Sequence, residues 1–357
     1  MAVKFTKPEI NVREKLAELD KPSGIAGEAM LRAETPQEQF NLIGAGRRNI
    51  FINGGFTVSQ RGDYTSATAT SAQAYGLDRW KNYLNSVSAT YQHTTVTIDG
   101  VTRKALKMAA TSSGTGYFGP VQRVELSAFR AGVLLTMSGY VRTNNPNVYF
   151  RHDYIGGVTG IQAPDPITPD GNWHYVTWTV DTTGTSVAPI FQVLAYNYGS
   201  ISVTSGDYIE IADMQLEVGK VATPFEYRSY GEELALCQRY FERLEDLASR
   251  DSNGAASTET LIGIGYVYTT TRVMGHVTWK ATKRVNPTCT VSPVTDIQCL
   301  SSAGAWISAT GVDVRANKNS ARLDITTGSA MPAAGQACEI RFNTASPVGY
   351  IYIDAEL

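Results

Sequence analysis

The stretch Ala212 to Glu245 reads ADMQLEVGKVATPFEYRSYGEELALCQRYFERLE. It opens as a strand, is stopped by Pro224, and continues as an amphipathic pattern. In the strand portion, DYIEIADMQLEV (Asp207–Val218), Tyr208, Glu210, Ala212, Met214, Leu216 and Val218 share one parity, and Ile209 and Ile211 take the other. Apolar residues therefore change face part-way, which predicts a β-bulge near Ala212-Asp213. Beyond Pro224, Leu234, Cys237, Phe241 and Leu244 follow spacings of three, four and three, with Tyr240 and Leu247 widening the stripe and Glu232 and Glu233 in the first turn. That pattern predicts a helix over 230–247. Two heptads cannot sustain a free coiled coil, so the helix has to pack on its own chain or on copies of itself. Leu234, Cys237, Phe241 and Leu244 are thus candidate residues of a trimer seam.

On either side of this stretch the chain is rich in short alternating runs. TTVTIDG, VLLTMSGYV, NVYFRHDY, HYVTWTVD and IFQVLAYNYG precede it, and LIGIGYVYTTT, GHVTWKATKR, ARLDITT, ACEIRFN and VGYIYIDAEL follow it. Gly, Pro and Asn separate them, and no helical signal intervenes, so an all-β class with antiparallel sandwiches is expected. The 357 residues exceed one ordinary domain. The expected organisation is an N-terminal segment (1–49), a β-sandwich (50–228), a linker helix (229–249) and a C-terminal β-sandwich (250–357), and the resemblance described below implies that the first is an attachment segment and the second jelly-roll-like.

Residues 1–49 differ in texture, being charged and poor in aromatics. Val12, Leu16 and Leu19 fall on one face of a short helix, and Thr35, Pro36 and Glu38 set up a capping box ahead of Phe40 and Leu42. Helices this short are marginal alone and need a partner surface, either their own domain or a larger assembly.

A net charge of −2 argues against a general nucleic-acid or anionic-membrane binder, which needs concentrated Lys and Arg. No run approaches the length of a membrane span, and the first residues lack the apolar core of an export signal. Cys237, Cys289, Cys299 and Cys338 show no CxxC and no His at metal-ligand spacing, so free thiols are expected, with a disulfide in the C-terminal domain left open. His93, His152, His174 and His276 stand outside any hydrolase motif, and His152 and Asp153 point to opposite faces of a strand. A non-enzymatic protein is the expectation.

RRNIFINGGFTVSQRG (Arg47–Gly62), IADMQLEVGKVATPFEYRSYGEELALCQRYFE (Ile211–Glu242) and the terminal YIYIDAEL together resemble virion fibre proteins of tailed bacteriophages. The leader from Asn11 to Gly46 resembles attachment segments of fibre-like structural proteins of marine phages. The part between the opening and closing motifs is similar to jelly-roll carbohydrate-binding modules, in which first and last strands meet. The resemblance implies a homotrimeric tail fibre or receptor-binding protein, assembled in the host cytoplasm. It would dock to tail, baseplate or capsid proteins through residues 1–49, with Val12, Leu16, Leu19, Phe40 and Leu42 as contacts, and reach host surface polysaccharide with its β domains. A head-decorating protein without receptor binding and a glycan depolymerase are the alternatives. The resemblance also implies a structural calcium at Asn53 and Asp213, although Gly55 stands where an acidic ligand is common and removes a hard oxygen.

Sugars are recognised by flat aromatic faces beside amides and carboxylates. Trp80, Tyr83, Tyr117, Phe118, Tyr154, Tyr196 and Tyr198 are the candidate platforms, several beside Gly or Asn at loop ends. Each can instead pack in the core or at a subunit contact. Of Trp173 and Trp178, which sit within a strand pattern, at least one is expected in the core.

Overall fold

The computed structural model describes residues 48–128, 132–153, 160–182, 190–197, 199–245, 261–300, 304–331, 333–342 and 349–357. The candidate contacts Val12, Leu16, Leu19, Phe40 and Leu42, and the platforms Tyr154 and Tyr198, lie outside them.

In the first unit the strands are β1 (Thr68–Thr70), β2 (Lys81–Asn85), β3 (Ala89–Ile98), β4 (Val101–Ala110), β5 (Gly114–Arg123), β6 (Leu134–Thr143), β7 (Val148–Asp153), β8 (Ile161–Gln162), β9 (His174–Asp181), β10 (Ile190–Ala195), β11 (Ile201–Val203) and β12 (Tyr208–Val218). One sheet runs β1-β3-β4-β12-β6-β9 and the other β11-β5-β10-β7-β8, with β2 also pairing β5. The register between β12 and β6 shifts between Ala212 and Gln215, and Asp213 takes a left-handed φ of 49°. This bulge is what lets Ile209 and Ile211 before it, and Met214 and Leu216 after it, all reach the core. Trp178 packs against that core, whereas Trp173 joins a small cluster with Ile98, Ala105 and Ala212.

A single α-helix, α1 (Tyr230–Gln238), follows among the described residues. Ser229 caps it, exchanging hydrogen bonds with Glu232 in a capping box. The helix is half the expected length. Phe241–Glu245 forms strand β13, paired with the last strand, β21 (Tyr350–Asp354), from Phe241↔Asp354 to Glu245↔Tyr350. Pairing with β21 buries Phe241 and Glu242 and sets Leu244 against the second core. Cys237 and Phe241 are therefore spent inside the chain, and no continuous helical stripe through Leu244 exists to serve as a seam.

The second unit contains β14 (Leu261–Thr269), β15 (Arg272–Thr278), β16 (Thr288–Val291), β17 (Ile297–Leu300), β18 (Trp306–Ala316), β19 (Ser320–Thr327) and β20 (Ala337–Phe342). Six of these close into a barrel, β14-β15-β19-β18-β17-β20, while β13-β21-β16 forms a small sheet beside it. The unit is thus a barrel-like counterpart of the sandwich ahead of it. All four cysteines are free thiols. No helix among the described residues is long and apolar enough to cross a membrane.

The opening and closing motifs meet in one joint. Glu226 accepts the backbone N–H of Arg48 (3.1 Å) and Asn49 (2.7 Å), Glu233 accepts that of Asn53 (2.5 Å), and Arg228 donates to the carbonyls of Phe51 and Asn49. The Asn49 amide bridges into β12 at Met214 O (3.0 Å) and Leu216 N (3.1 Å). A Cβ on Gly54 would stand 2.0 Å from Met214 O, so this close approach requires glycine. On the barrel side, Gln60 donates to Phe241 O (2.8 Å) and Arg61 lies 3.6 Å over the Phe241 ring. Arg79 covers Tyr240 at 3.6 Å and ion-pairs with Glu356. Lys283 and Glu242 form a fully buried pair at 2.6 Å.

Candidate functional site

The outward face of the β5-containing sheet groups aromatic and polar side chains from four strands. Strand alternation sets it up. In β2, Asn82 and Leu84 turn inward, so Lys81, Tyr83 and Asn85 turn out; in β5, Phe118 turns in and Tyr117 out; in β7, Phe150 and His152 turn in, leaving Tyr149, Arg151 and Asp153 outside. The cross-strand pairs Asn85↔Tyr117 and Gln192↔Arg151 carry the face across four strands.

Tyr83 and Tyr117 stack with ring centroids 5.1 Å apart, and Tyr196 meets Tyr117 edge-on at 5.7 Å. All three are half-buried, with faces left for a ligand. Burial, followed by the hydroxyl contact with Tyr117, pushes the Tyr83 phenol up to about 12, so it stays a neutral hydrogen-bonding group. The Arg151 guanidinium lies 4.4 Å over the Tyr196 ring and pairs with Asp153 at 2.5 Å; Gln192 Nε2 donates to the same carboxylate at 2.7 Å. Farther along, the Gln162 amide donates to Asn197 Oδ1 at 3.4 Å.

Two atoms of this network are buried without a hydrogen-bond partner, Gln192 Oε1 and Arg151 Nη1. Their residues are at least nine-tenths buried. A buried acceptor and a buried donor left without partners cost stability. Gly160 lies on the ion pair: a Cβ there would fall 1.5 Å from Asp153 Oδ1 and 2.2 Å from Arg151 Nη2.

Of the sequence-derived platforms, Tyr83, Tyr117 and Tyr196 come together here. Trp80 and Phe118 do not. Trp80 is 1% exposed, packed against Phe51 (5.5 Å) and Phe56 (5.2 Å) with its Nε1 donating to Asn53 O at 2.9 Å. Phe118, the inward neighbour of Tyr117, is wholly buried. Arg151, Asp153 and Gln192 were not singled out by the sequence reading. Their signal was parity, polar residues spaced by two within otherwise apolar strands.

The calcium positions do not fit a hard cation. The Asn53 side chain is spent on Val58 (N–H 3.0 Å, carbonyl 2.8 Å) and Asp78 O (3.0 Å), and Asp213 already faces a cation, Arg103 Nε at 2.7 Å, and the Tyr227 hydroxyl at 3.2 Å. Calcium takes six to eight oxygens, and a guanidinium in that place repels it. Among the described residues no group of three or more His, Cys, Asp or Glu side chains converges as a metal site needs.

No protein-family model matches the chain, and none of the curated proteins matches it. Among solved structures, the enzymatically active domain of tailspike protein 4 from bacteriophage CBA120 is similar at 11% identity and TM-score 0.31, over 48% of this chain and 21% of that one. A family 11 carbohydrate-binding module from Clostridium thermocellum, in complex with a mixed-linked tetrasaccharide, is similar at 15% identity and TM-score 0.24, over 44% of this chain and 98% of that one. A tandem of two CBM22 modules from Paenibacillus barcinonensis is similar at 12% identity and TM-score 0.27, over 83% of this chain and 99% of that one. The first similarity spans about a fifth of the tailspike chain. At such identities and scores, any reading of function rests on this chain's own residues.

Proposed function

We propose that this chain is a non-enzymatic bacteriophage virion fibre protein of the receptor-binding kind, whose sandwich holds host surface glycans on its tyrosine face. The observation that carries this is the row of half-buried rings Tyr83, Tyr117 and Tyr196 on the face that also holds the unsatisfied Arg151 and Gln192. Flat rings take sugar C–H faces, and the open donor and acceptor take hydroxyls. Binding is favoured over hydrolysis by the acid inventory. Asp153 is the one carboxylate in the strands of this sheet, and it is held by Arg151 and Gln192, whereas glycoside hydrolysis ordinarily uses two carboxylates across the bond.

The virion assignment is supported by the opening and closing motifs. In this reading residues 1–49 dock to tail, baseplate or capsid proteins. The chain assembles as a homotrimer in the host cytoplasm, and repetition of shallow sites raises avidity through effective concentration. Head decoration without receptor binding is the reading to which it would yield. The test is binding of the full chain to purified host lipopolysaccharide and capsular polysaccharide, for wild type, Tyr117→Ala and Tyr196→Ala. Saturable binding reduced by both substitutions supports the proposal. Absence of binding in the wild type, or release of reducing ends, overturns it.

A further inference from the structure

Strand β14, LIGIGYVYT, is apolar on both faces. Inward it supplies Val267, buried in the barrel core. Outward it shows Leu261, Ile264, Tyr266 and Tyr268, which are 52%, 65%, 47% and 50% exposed. The large exposed hydrophobics of the described residues are otherwise scattered, and on no other strand do four share one face. Half-buried Met274 of β15 adjoins the row, and Leu261 also lines a groove with Tyr230, Leu234 and Leu244 at the end of α1. A strand on an antiparallel barrel needs one apolar face; a second one signals a covering partner.

The flanks identify that partner. Register places Glu339 of β20 opposite Ile264 on one side, while on the other Gly265 pairs with Gly275, setting His276 beside Ile264, and His276 pairs with Arg322 of β19. A line across the face thus reads acid, apolar centre, base. Glu339 and Arg322 are both exposed, and neither side chain has an ion-pair partner among the described residues. Arg341, beside Leu261 on the Glu339 flank, is held by Gln298 and the Trp306 ring, and Asp324 on the Arg322 flank is paired with Arg272, so rotation about an axis parallel to β14 brings Glu339 of one copy against Arg322 of the next while the apolar rows close on the axis. The four outward residues offer roughly 400–500 Å², and Met274 with the groove residues brings this towards the roughly 800 Å² per partner of a standard interface.

We infer that the outward face of β14 is a self-association surface, occupied by a second copy of this chain across a rotation axis parallel to the strand, with Glu339 of each copy meeting Arg322 of its neighbour. The inference rests on the homo-oligomeric part of the function proposed above and is independent of the glycan part. It moves the seam from the helix to the barrel.

Analytical ultracentrifugation of the full chain at micromolar concentration tests it. Ile264→Glu and Tyr266→Glu should each weaken association by roughly 30-fold or more, because a charge is buried without a partner. Both sites face solvent in the single chain, so circular dichroism and thermal melting of the dissociated form should show the fold intact. Glu339→Arg and Arg322→Glu should each weaken association by about tenfold, and the double reversal should restore it. Oligomers indifferent to Ile264→Glu and Tyr266→Glu would overturn this seam while leaving homo-oligomerisation standing. A monomeric wild type would overturn both. Host polysaccharide binding by the monomeric variant, at reduced avidity, reports separately on the tyrosine face.

Discussion

The joint between the two units and the tyrosine face of the sandwich are assembled from the same materials, guanidinium groups over aromatic rings with carboxylates and amides between them, yet they end in different states. In the joint, Arg61 and Arg79 lie flat over Phe241 and Tyr240, and their carboxylate partners Asp78 and Glu356 are buried. Arg79 Nε and Arg61 Nη1, left without hydrogen bonds there, belong to guanidiniums covered by the Tyr240 and Phe241 rings. On the tyrosine face Arg151 Nη1 is likewise unbonded on a guanidinium over the Tyr196 ring, but an amide oxygen, Gln192 Oε1, is unmet as well, for which stacking offers no substitute, and the neighbouring rings stay half-buried. A charged aromatic network that closes on itself holds a fold together, and one that stops short at an acceptor beside half-buried rings is where the proposed ligand would complete it.

The sharpest way to break this comparison uses near neighbours. Trp80→Ala should cost about 3–5 kcal/mol in chemical denaturation, as for a large core aromatic, whereas Tyr117→Ala should leave stability within about 1 kcal/mol of wild type. Equal losses would mean that the tyrosines are core residues. Removing one partner from the joint, by Glu356→Ala, should cost about 3 kcal/mol and separate the melting of the sandwich from that of the barrel in calorimetry, because Arg79 is left buried and uncompensated. A single unchanged transition would mean the joint does not couple the units.

Acidification sharpens the contrast from below the sheet. His152, wholly buried against Phe191 at 4.7 Å, has its pKa lowered to about 4 by burial. The unfolded chain binds that proton near 6.5 and the folded chain does not, so stability is unaffected above pH 6.5, falls between 6.5 and 4, and levels off below 4. The loss should be about 3 kcal/mol across that window and should vanish in His152→Phe, measured by urea unfolding at each pH. The smallest effect belongs to the face. Gly160→Ala pushes on the Arg151–Asp153 pair, and glycan binding should weaken by about tenfold with little change in melting temperature.

Legibility divided along the same line. The joint could be found in the sequence because its parts are short contiguous motifs, even though no spacing says that Gln60 and Phe241 touch. The bulge at Ala212-Asp213 was readable because the switch of apolar parity has no other economical explanation. The end of α1 was not, since Tyr240, Phe241 and Leu244 continue the helical stripe and only pairing with β21 makes Phe241–Glu245 a strand. Trp80 and Phe118 failed as platforms for a similar reason. Neighbouring residues in a strand face opposite ways, and nothing within DRWKNYLN or GTGYFGP says which parity is inward. Arg151 and Gln192 come from strands forty residues apart and become partners only through sheet order.

The clamp of Glu226, Arg228 and Glu233 on Arg48, Asn49, Phe51 and Asn53 has a mechanical consequence. Tension applied between residue 48 and the barrel passes through these short bonds directly into α1 and β13. The 177 positions that separate Asn49 from Glu226 along the chain form a loop closed by this clamp, and bonds from Asn49 and Ile50 to β12 and from Ile52 to Gln122 of β5 grip the sandwich at that same corner, so it is held at one place rather than pulled end to end.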